Sequence, residues 1–198
     1  MKKPVYGLTG GIASGKSTAL TKFKNLGIET LDTDELARAV IANGSLGKQE
    51  LERIIGSQFF ESGVLNRSRL RDEMYKNSYL KEAVERVIHP RVHAKVIDWV
   101  GQSSQSPYRV MCSPLLLETD QHRTFDGVIV VDVLETTQES RGAARDVESV
   151  ERVRQIIQAQ LSRKERLSHA DFIIDNSKDF ESLYEQIFEL HEQLINGR

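Results

Sequence analysis

The chain has 198 residues and a single cysteine, Cys112. One cysteine excludes an internal disulfide and any zinc site built from several cysteines. No apolar run approaches the ~20 residues of a membrane-spanning helix, and no apolar stretch of the secretory type follows the first residues. We therefore expect a cytoplasmic protein with no membrane partner.

The chain also lacks an excess of either charge. It has 27 Lys and Arg against 29 Asp and Glu, a formal net charge of −2. Such a balance gives no general attraction to nucleic acid or to anionic lipid, so neither is expected as a partner and any basic site must be local. A content of 39% hydrophobic and 28% charged residues is typical of one folded domain, with room for a small inserted subdomain.

The first thirty residues predict a strand, a helix and a second strand. Residues 5–8 are apolar and run into a glycine cluster, which favours a buried strand followed by a loop. From Ser17 onward, apolar side chains recur at helical spacing, and this pattern ends at Gly27. Residues 28–31 predict the second strand, so this is a βαβ unit with a right-handed crossover.

The rest of the chain predicts a helical insertion within an α/β core. A proline inside the longest predicted helix, Pro90, is expected to kink or break it. Helices are predicted at 35–42, 46–55, 67–76, 79–100 and 179–195, strands at 109–112, 128–132 and 172–174, and a charged helical segment at 136–166.

Residues 10–17, Gly-Gly-Ile-Ala-Ser-Gly-Lys-Ser, match the phosphate-binding pattern G-x-x-x-x-G-K-[ST] without a gap. Small residues let successive backbone N–H groups converge on phosphate oxygens, while Lys16 reaches the β- and γ-phosphates and Ser17 ligates Mg²⁺. The alternative, a glycine turn capped by a serine, is disfavoured because the motif follows a predicted strand and opens a predicted helix. The residues predicted to bind ATP are Gly11, Ile12, Ala13, Ser14, Gly15, Lys16, Ser17 and Thr18.

Two aspartates end the second predicted strand. Asp32 and Asp34 lie at the sheet edge that also carries the phosphate loop, where a carboxylate can orient an attacking hydroxyl or hold magnesium-bound water. Asp32 with Glu35 also resembles a capping box for the next helix. We favour Asp34 for the chemistry and Asp32 for capping or for the metal.

The segment 136–166 holds six arginines. Guanidinium groups stabilise the charge of phosphoryl transfer, and Arg141 is favoured because it begins the segment just after the strand that ends at Asp132. For most of the others we favour an exposed helix face with ion pairs such as Glu151 with Arg154. Asp132 is predicted either to contact magnesium-bound water or to cap the next turn.

Nearly the whole chain resembles the dephospho-CoA kinase family. The resemblance implies a P-loop kinase fold, with a parallel sheet core flanked by helices, and ATP-dependent phosphorylation of the ribose 3′-hydroxyl of dephospho-CoA, the last step of coenzyme A synthesis. It rests on residues 8–18, Asp32-Thr33-Asp34 with Ala37-Arg38, His89-Pro90, Pro114-Leu115-Leu116 with Glu118, residues 130–133, Arg145-Asp146, Gln160 with Arg163, and Asp175-Asn176.

The resemblance also implies roles for segments. The core comprises about 1–34, 105–135 and 167–198, the acceptor-binding insertion about 35–104, and the lid about 136–166. Asp34 matches the proposed base of the family. The cofactors expected are ATP and Mg²⁺. We expect Lys16, Asp34 and Arg141 to act in catalysis, and Ser17 and Asp32 to bind the metal. The residues expected to contact dephospho-CoA are Thr9, Asp34, His89, Pro114 and Leu115.

One position departs from the family. Ala13 stands where members usually have glycine, and we expect little harm provided that this position does not need a positive φ. The oligomeric state expected is a monomer or a weak homo-oligomer.

Two rival functions remain open at this point. A kinase for another small metabolite, such as shikimate or a nucleoside monophosphate, could carry the same loop and aspartate. A nucleotide-dependent regulator could bind ATP without transferring phosphate. A GTPase is disfavoured because residues 176–179 hold the letters of N-K-x-D in the wrong order.

Overall fold

A computed structural model describes residues 3–146 and 150–197 and contains a five-stranded, fully parallel sheet. Its order is β2-β5-β1-β6-β7, and a separate antiparallel hairpin is formed by β3 and β4. The strands are β1 Val5–Thr9, β2 Glu29–Asp32, β3 Phe60–Glu61, β4 Val64–Leu65, β5 Arg109–Cys112, β6 Gly127–Asp132 and β7 Phe172–Asp175. The helices are α1 Lys16–Asn25, α2 Thr33–Val40, α3 Leu46–Ile55, α4 Arg67–Lys76, α5 Ser78–Gly101, α6 Glu135–Asp146, α7 Val150–Ala159, α8 Arg163–Ser168 and α9 Phe180–Asn196.

Two of the three inner strands, β5 and β6, are buried along their whole length. Helices on both faces of a parallel sheet produce this pattern, and the apolar run at 128–131 predicted it. One face is covered by α1 and α9, whose Phe23, Leu183 and Ile187 are completely buried. The predicted parallel core is therefore confirmed.

All five strands point the same way, so their carboxyl ends meet at one edge of the sheet. Thr9 ends β1 between β5 and β6, and the loop 10–15 leaves the sheet there and runs into α1. Ligands of open parallel sheets bind outside the carboxyl ends of the strands, where the connections diverge to opposite sides. The strands thus place the glycine loop at the edge where ligands bind in such sheets.

The chain divides into two compact units. The described residues up to Asp32 and from Ser103 onward form the α/β unit, and Thr33–Gln102 form a helical unit. The helical unit has its own apolar core, in which Leu51 and Val87 are fully buried. Its hairpin β3–β4 was not predicted from the sequence. The assignment of this unit to acceptor binding remains a prediction.

Helix α5 is continuous through Pro90, so of the kink or break predicted there, the break does not occur. Proline removes the N–H that would bond to the carbonyl of Arg86. Next to it, the Arg91 guanidinium donates to the Val87 carbonyl at 2.8 Å and to Glu50 of α3 at 2.5 Å. Packing against α2 and α3 holds the helix together across the proline.

A buried polar pair links β5 to α9 inside the α/β unit. The hydroxyl of Tyr108 lies 2.8 Å from Nδ1 of His191, and Tyr108 is fully buried. Burial raises the pKa of the Tyr108 phenol, and the neighbouring Tyr6 adds to the rise. Within the described residues no helix is both long and apolar enough to cross a bilayer.

Candidate active site

The phosphate loop follows β1 and has a conformation that only particular residues adopt. Gly15, the residue before α1, has φ +100°, and a Cβ built on it would overlap the side-chain nitrogen of Asn176. A Cβ on Gly10 would overlap the carbonyl of Val131. The two glycines of the motif are therefore required both by backbone conformation and by close packing.

Ala13 has φ +55°. The condition attached to the expectation of little harm, that this position does not need a positive φ, is therefore not met. The left-handed conformation costs an L-residue roughly 1–2 kcal/mol more than it costs glycine, so this chain holds modest strain in the loop. Burial and hydrogen bonds on both sides of Ala13 must maintain it.

Side chains distant in sequence brace the loop. The Asn176 amide donates to the Ser14 carbonyl at 2.7 Å, and Arg141 Nη2 donates to the Asn176 carbonyl at 3.1 Å. Gln160 accepts the Ile12 amide at 3.0 Å. The loop is thus fixed by contacts from α6, from the end of α7 and from the end of β7.

Two polar side chains of the motif, Lys16 and Ser14, differ in their hydrogen bonding. Lys16 Nζ donates to the carbonyls of Gly10 and Gly11 at 3.0 and 2.9 Å. The Ser14 hydroxyl is buried without a hydrogen-bond partner. Such an orphaned group within a loop of backbone donors is the condition expected where phosphate oxygens bind.

Oxygen donors suited to magnesium lie in the first turn of α1 and at the end of β2. Ser17 is exposed in the first turn of α1, and Thr18 follows it, half-buried. Asp32 is the last residue of β2 and pairs in register with Cys112. Hydroxyl and carboxylate oxygens are ligands that Mg²⁺ accepts, usually together with waters and nucleotide phosphates. No cluster of three or more His, Cys, Asp or Glu able to hold a metal occurs among the described residues.

Helix α2 begins at Thr33, two residues earlier than predicted. Asp32 therefore directly precedes the helix, and Asp34 lies exposed in its first turn. The chain has only Thr33 between the end of β2 and Asp34. The sequence thus keeps this carboxylate close to the carboxyl end of the strand, as a hydroxyl-orienting group requires.

Asp132 ends β6 and is engaged by an arginine. Arg163 donates through Nε at 3.0 and 3.1 Å and through Nη2 at 2.6 Å, and this carboxylate raises the pKa of Arg163. Arg166, one turn further, is buried, which lowers its pKa, while Glu118 and Asp132 oppose that effect. In this structure Asp132 therefore binds the start of α8, a contact that neither sequence interpretation included.

The predicted lid segment contains α6, α7 and α8, and residues 147–149 and the side chain of Arg145 lie outside the described part. Arg154 forms a bidentate pair with Glu139 at 2.9 and 3.0 Å, which lowers the pKa of that carboxyl. The predicted partner Glu151 acts on Arg154 as a neighbouring charge that raises the pKa of Arg154 further. That 136–166 is a lid, and that Arg141 contacts phosphate, remain predictions.

The other residues predicted at dephospho-CoA occupy different environments. Thr9 is 1% exposed at the end of β1. Pro114 and Leu115 follow β5 at the same edge of the sheet, and Leu115 is 44% exposed. His89 lies exposed on α5 in the helical unit. Their roles at the acceptor remain predictions.

Sequence reasoning missed three contacts of the loop, although two of the side chains, Gln160 and Asn176, are among the residues that carry the family resemblance. Besides Asn176 and Gln160, the side chain of Gln138 is 2% exposed and lies where a Cβ on Gly11 would be. Their partners are more than a hundred residues away in the chain, so no local pattern marks them. The resemblance included Gln160 and Asn176 without giving them a role, and for Gln138 the signal was only its polarity within a helical stretch.

Known structures define the class of the fold. A Thermus thermophilus protein, TT1252, aligns with TM-score 0.82 at 26% identity, covering 98% of this chain and 99% of that one. A dephospho-CoA kinase from Campylobacter jejuni aligns at 0.72 and 22% identity, covering 98% of each. Shikimate kinase from Acinetobacter baumannii, in complex with shikimate, aligns at 0.57 and 13% identity, covering 99% and 95%. The fold is that of the P-loop kinases.

Sequence comparisons then give the family. The family model for dephospho-CoA kinase matches residues 4–182. A dephospho-CoA kinase of Hahella chejuensis is 42% identical over 98% of this chain and 93% of its own length. One of Hydrogenovibrio crunogenus is 39% identical over 92% and 94%. The chain belongs to the dephospho-CoA kinase family, and the resemblance seen in the sequence is confirmed.

Proposed function

We propose that the protein transfers the γ-phosphate of ATP to the ribose 3′-hydroxyl of dephospho-CoA, giving coenzyme A and ADP as the last step of coenzyme A synthesis. The observation that carries the proposal is the braced phosphate loop, with its orphaned Ser14 hydroxyl, in a chain of this family.

The loop binds and orients the triphosphate. Backbone N–H groups from residues 11–18 surround the phosphate oxygens, and the positive end of α1 adds to the attraction. Lys16 leaves the Gly10 and Gly11 carbonyls for the β- and γ-phosphates. Its charge then faces the oxygens on which negative charge develops during transfer.

Ser17 and Asp32 are the residues that would hold magnesium, directly or through water. When bound there, the ion would supply positive charge that neutralises the phosphates during transfer. Ser17 supplies its hydroxyl from the first turn of α1, and Asp32 supplies a carboxylate from the end of β2.

Asp34 accepts a hydrogen bond from the 3′-hydroxyl and directs its oxygen in line with the γ-phosphate. In a loose transition state the hydroxyl proton departs late, so this carboxylate acts mainly in positioning and receives the proton at the end. Arg141, held by the Asn176 carbonyl in this structure, is the arginine proposed to reach the phosphates from the lid.

The remaining assignments belong to the same proposal. Thr9, His89, Pro114 and Leu115 contact the acceptor, and the helical unit binds its distal part. The enzyme acts in the cytoplasm as a monomer or weak homo-oligomer, without nucleic acid or membrane.

The test is an ADP-release assay with ATP, Mg²⁺ and a panel of acceptors, followed by mass spectrometry of the product. We expect turnover with dephospho-CoA and a product heavier by one phosphoryl group. Turnover with shikimate or CMP but not with dephospho-CoA would contradict the proposal. ATP binding without any transfer would favour a regulatory protein instead.

A further inference from the structure

The peptide that joins Gly11 to Ile12 is hydrogen-bonded on both of its sides. Its N–H, on Ile12, donates to Oε1 of Gln160 at 3.0 Å. Its carbonyl, on Gly11, accepts from Lys16 Nζ at 2.9 Å and from the Ser14 amide at 3.2 Å. The described residues contain no cis peptide bond, and in a planar trans peptide the N–H and the C=O point in opposite directions. A bond that fixes the N–H toward Gln160 therefore also fixes the carbonyl toward Lys16.

Gly11 gives this peptide rotational freedom. A peptide plane turns over by rotation about ψ of one residue and φ of the next, and a glycine, which has no Cβ, opposes that rotation least. A stiffer residue does not fit at position 11, because the side chain of Gln138 occupies the space that its Cβ would need. A hydrogen bond from outside the loop is therefore well suited to fix the orientation of the peptide.

Gln160 lies on a turn that is itself held at several points. The backbone N–H of the next residue, Leu161, donates to Glu118 Oε1 at 3.0 Å, which ties the turn to the segment after β5. Arg163, which begins α8, pairs with Asp132 at the end of β6 at 2.6 Å. A side chain on such a fixed support orients its partner more precisely than one on a free loop.

Many bonds from a side chain to the backbone only satisfy a donor, but here the bonded peptide also carries an acceptor of Lys16. We infer, on the basis of the proposed function, that Gln160 is a positioning residue of the nucleotide site. It acts through the Gly11–Ile12 peptide, whose carbonyl keeps the Lys16 ammonium inside the loop until ATP binds. If the peptide turned over, an N–H would face that ammonium. The fraction of molecules ready to bind ATP, and with it the apparent affinity, therefore depends on Gln160.

The test compares Gln160→Met and Gln160→Glu with the wild type. Methionine matches the length of glutamine but has only a weak acceptor, whereas glutamate keeps the acceptor oxygen. We expect Gln160→Met to raise the Kd for ATP with Mg²⁺ about 3- to 10-fold, the value of one hydrogen bond, and to leave the KM for dephospho-CoA at saturating ATP unchanged.

The spectroscopic readout is the Ile12 amide proton in ¹⁵N-labelled protein without nucleotide. Its resonance should move upfield, and its exchange with solvent should become faster, in Gln160→Met but not in Gln160→Glu. The charge of glutamate also repels the triphosphate, so that variant is judged by the amide signal alone.

Gln158→Met is the matched control, since it makes the same substitution at an exposed position of α7. It should change neither the Kd for ATP nor the Ile12 amide signal. An Ile12 signal identical in Gln160→Met and the wild type, a rise in Kd no larger than in Gln158→Met, or an equal rise in the KM for dephospho-CoA would overturn the inference. A wild type that binds ATP but does not phosphorylate dephospho-CoA would overturn the proposed function alone, because neither the amide signal nor the Kd requires phosphoryl transfer.

Discussion

The α/β unit and the helical unit prepare their ligand-binding groups in opposite ways. In the α/β unit the phosphate loop is shaped by backbone conformation and by buried side chains such as Asn176 and Gln138. In the helical unit the candidate group Asp34 is an exposed side chain in the first turn of α2. Under the proposed function, the rigid backbone loop would bind the triphosphate, which is common to many enzymes, and exposed side chains would bind the acceptor, which is particular to one.

Substitutions in the two units should therefore have different effects. A change in the loop should disturb both folding and nucleotide binding, because the same contacts serve both. A change of an exposed charge on α2 should disturb acceptor use and leave stability intact. Variants of the two units should therefore fail in different assays.

Asp34→Asn should have the largest effect. The amide keeps the size of the side chain but cannot receive a proton, so we expect kcat to fall about 100- to 10,000-fold. ATP affinity and thermal stability should be unchanged, because Asp34 is exposed and outside the loop. Steady-state kinetics, calorimetric ATP binding and a melting curve check the three quantities. Full turnover, or a loss of ATP binding, would contradict the division between the two units.

Gly15→Ala should damage folding and binding together. The new Cβ would displace Asn176 and impose φ +100° on an alanine, so the free energy of unfolding should fall by about 2 kcal/mol or more. ATP affinity should fall about tenfold or more, because returning the displaced loop to its binding conformation would cost binding free energy, and about 1.4 kcal/mol corresponds to a factor of ten. Urea titration and calorimetry measure these changes.

Gly44→Ala is the control for Gly15→Ala. Gly44 has φ +84°, but a Cβ at this position would meet no atom within 4 Å. The variant should lose only the backbone contribution of about 1 kcal/mol and keep its ATP affinity. If both variants behave alike, the contact between Gly15 and Asn176 does not shape the loop.

Tyr108→Phe tests the buried core between the start of β5 and α9. Loss of the hydroxyl leaves Nδ1 of His191 buried without its partner, so unfolding should become easier by about 1–2 kcal/mol at neutral pH. The raised pKa of Tyr108 means that its contribution is complete below the unfolded value near pH 10 and is lost as pH rises through the folded value.

The pH profile provides the check for Tyr108. Urea unfolding between pH 7 and 11 should show the wild type losing stability above about pH 10 more steeply than Tyr108→Phe does. Tyr184→Phe, at an exposed tyrosine of α9, should follow the wild type. An identical alkaline slope in all three proteins would contradict burial of an un-ionised Tyr108.

Ala13→Gly should have the smallest effect. Glycine adopts a positive φ without the steric cost that alanine has. It also gives the unfolded chain more conformational entropy, which offsets part of that gain. The free energy of unfolding should therefore rise by about 0–1 kcal/mol. Ala83→Gly, inside α5, should instead lower it by about 1 kcal/mol. A loss of stability in Ala13→Gly equal to that in Ala83→Gly would mean that Ala13 is not left-handed.

The sequence predicted features that depend on local pattern. The βαβ unit, the phosphate loop and the buried strand β6 each follow from spacing within a few residues, and the structure confirms the fold that they indicate. The continuous course of α5 through Pro90 depends on packing against α2 and α3, which no local rule includes.

The surroundings of the loop could not be predicted in the same way. The bond from Asn176 to Ser14 joins residues 162 positions apart, and that from Ile12 to Gln160 joins residues 148 apart. Asp132 and Arg163 are 31 positions apart, and no local pattern predicts that they pair. The motif requires only a small residue at position 13, so it does not predict the positive φ of Ala13.

The most direct test of the account locates the new phosphate on the product. After reaction of the wild type with ATP, Mg²⁺ and dephospho-CoA, phosphorus–proton correlation spectroscopy identifies the sugar carbon that bears the added group. The account predicts a phosphorus nucleus coupled to the ribose H3′ of the acceptor. Coupling to H2′, or a phosphate attached elsewhere on the acceptor, would contradict it.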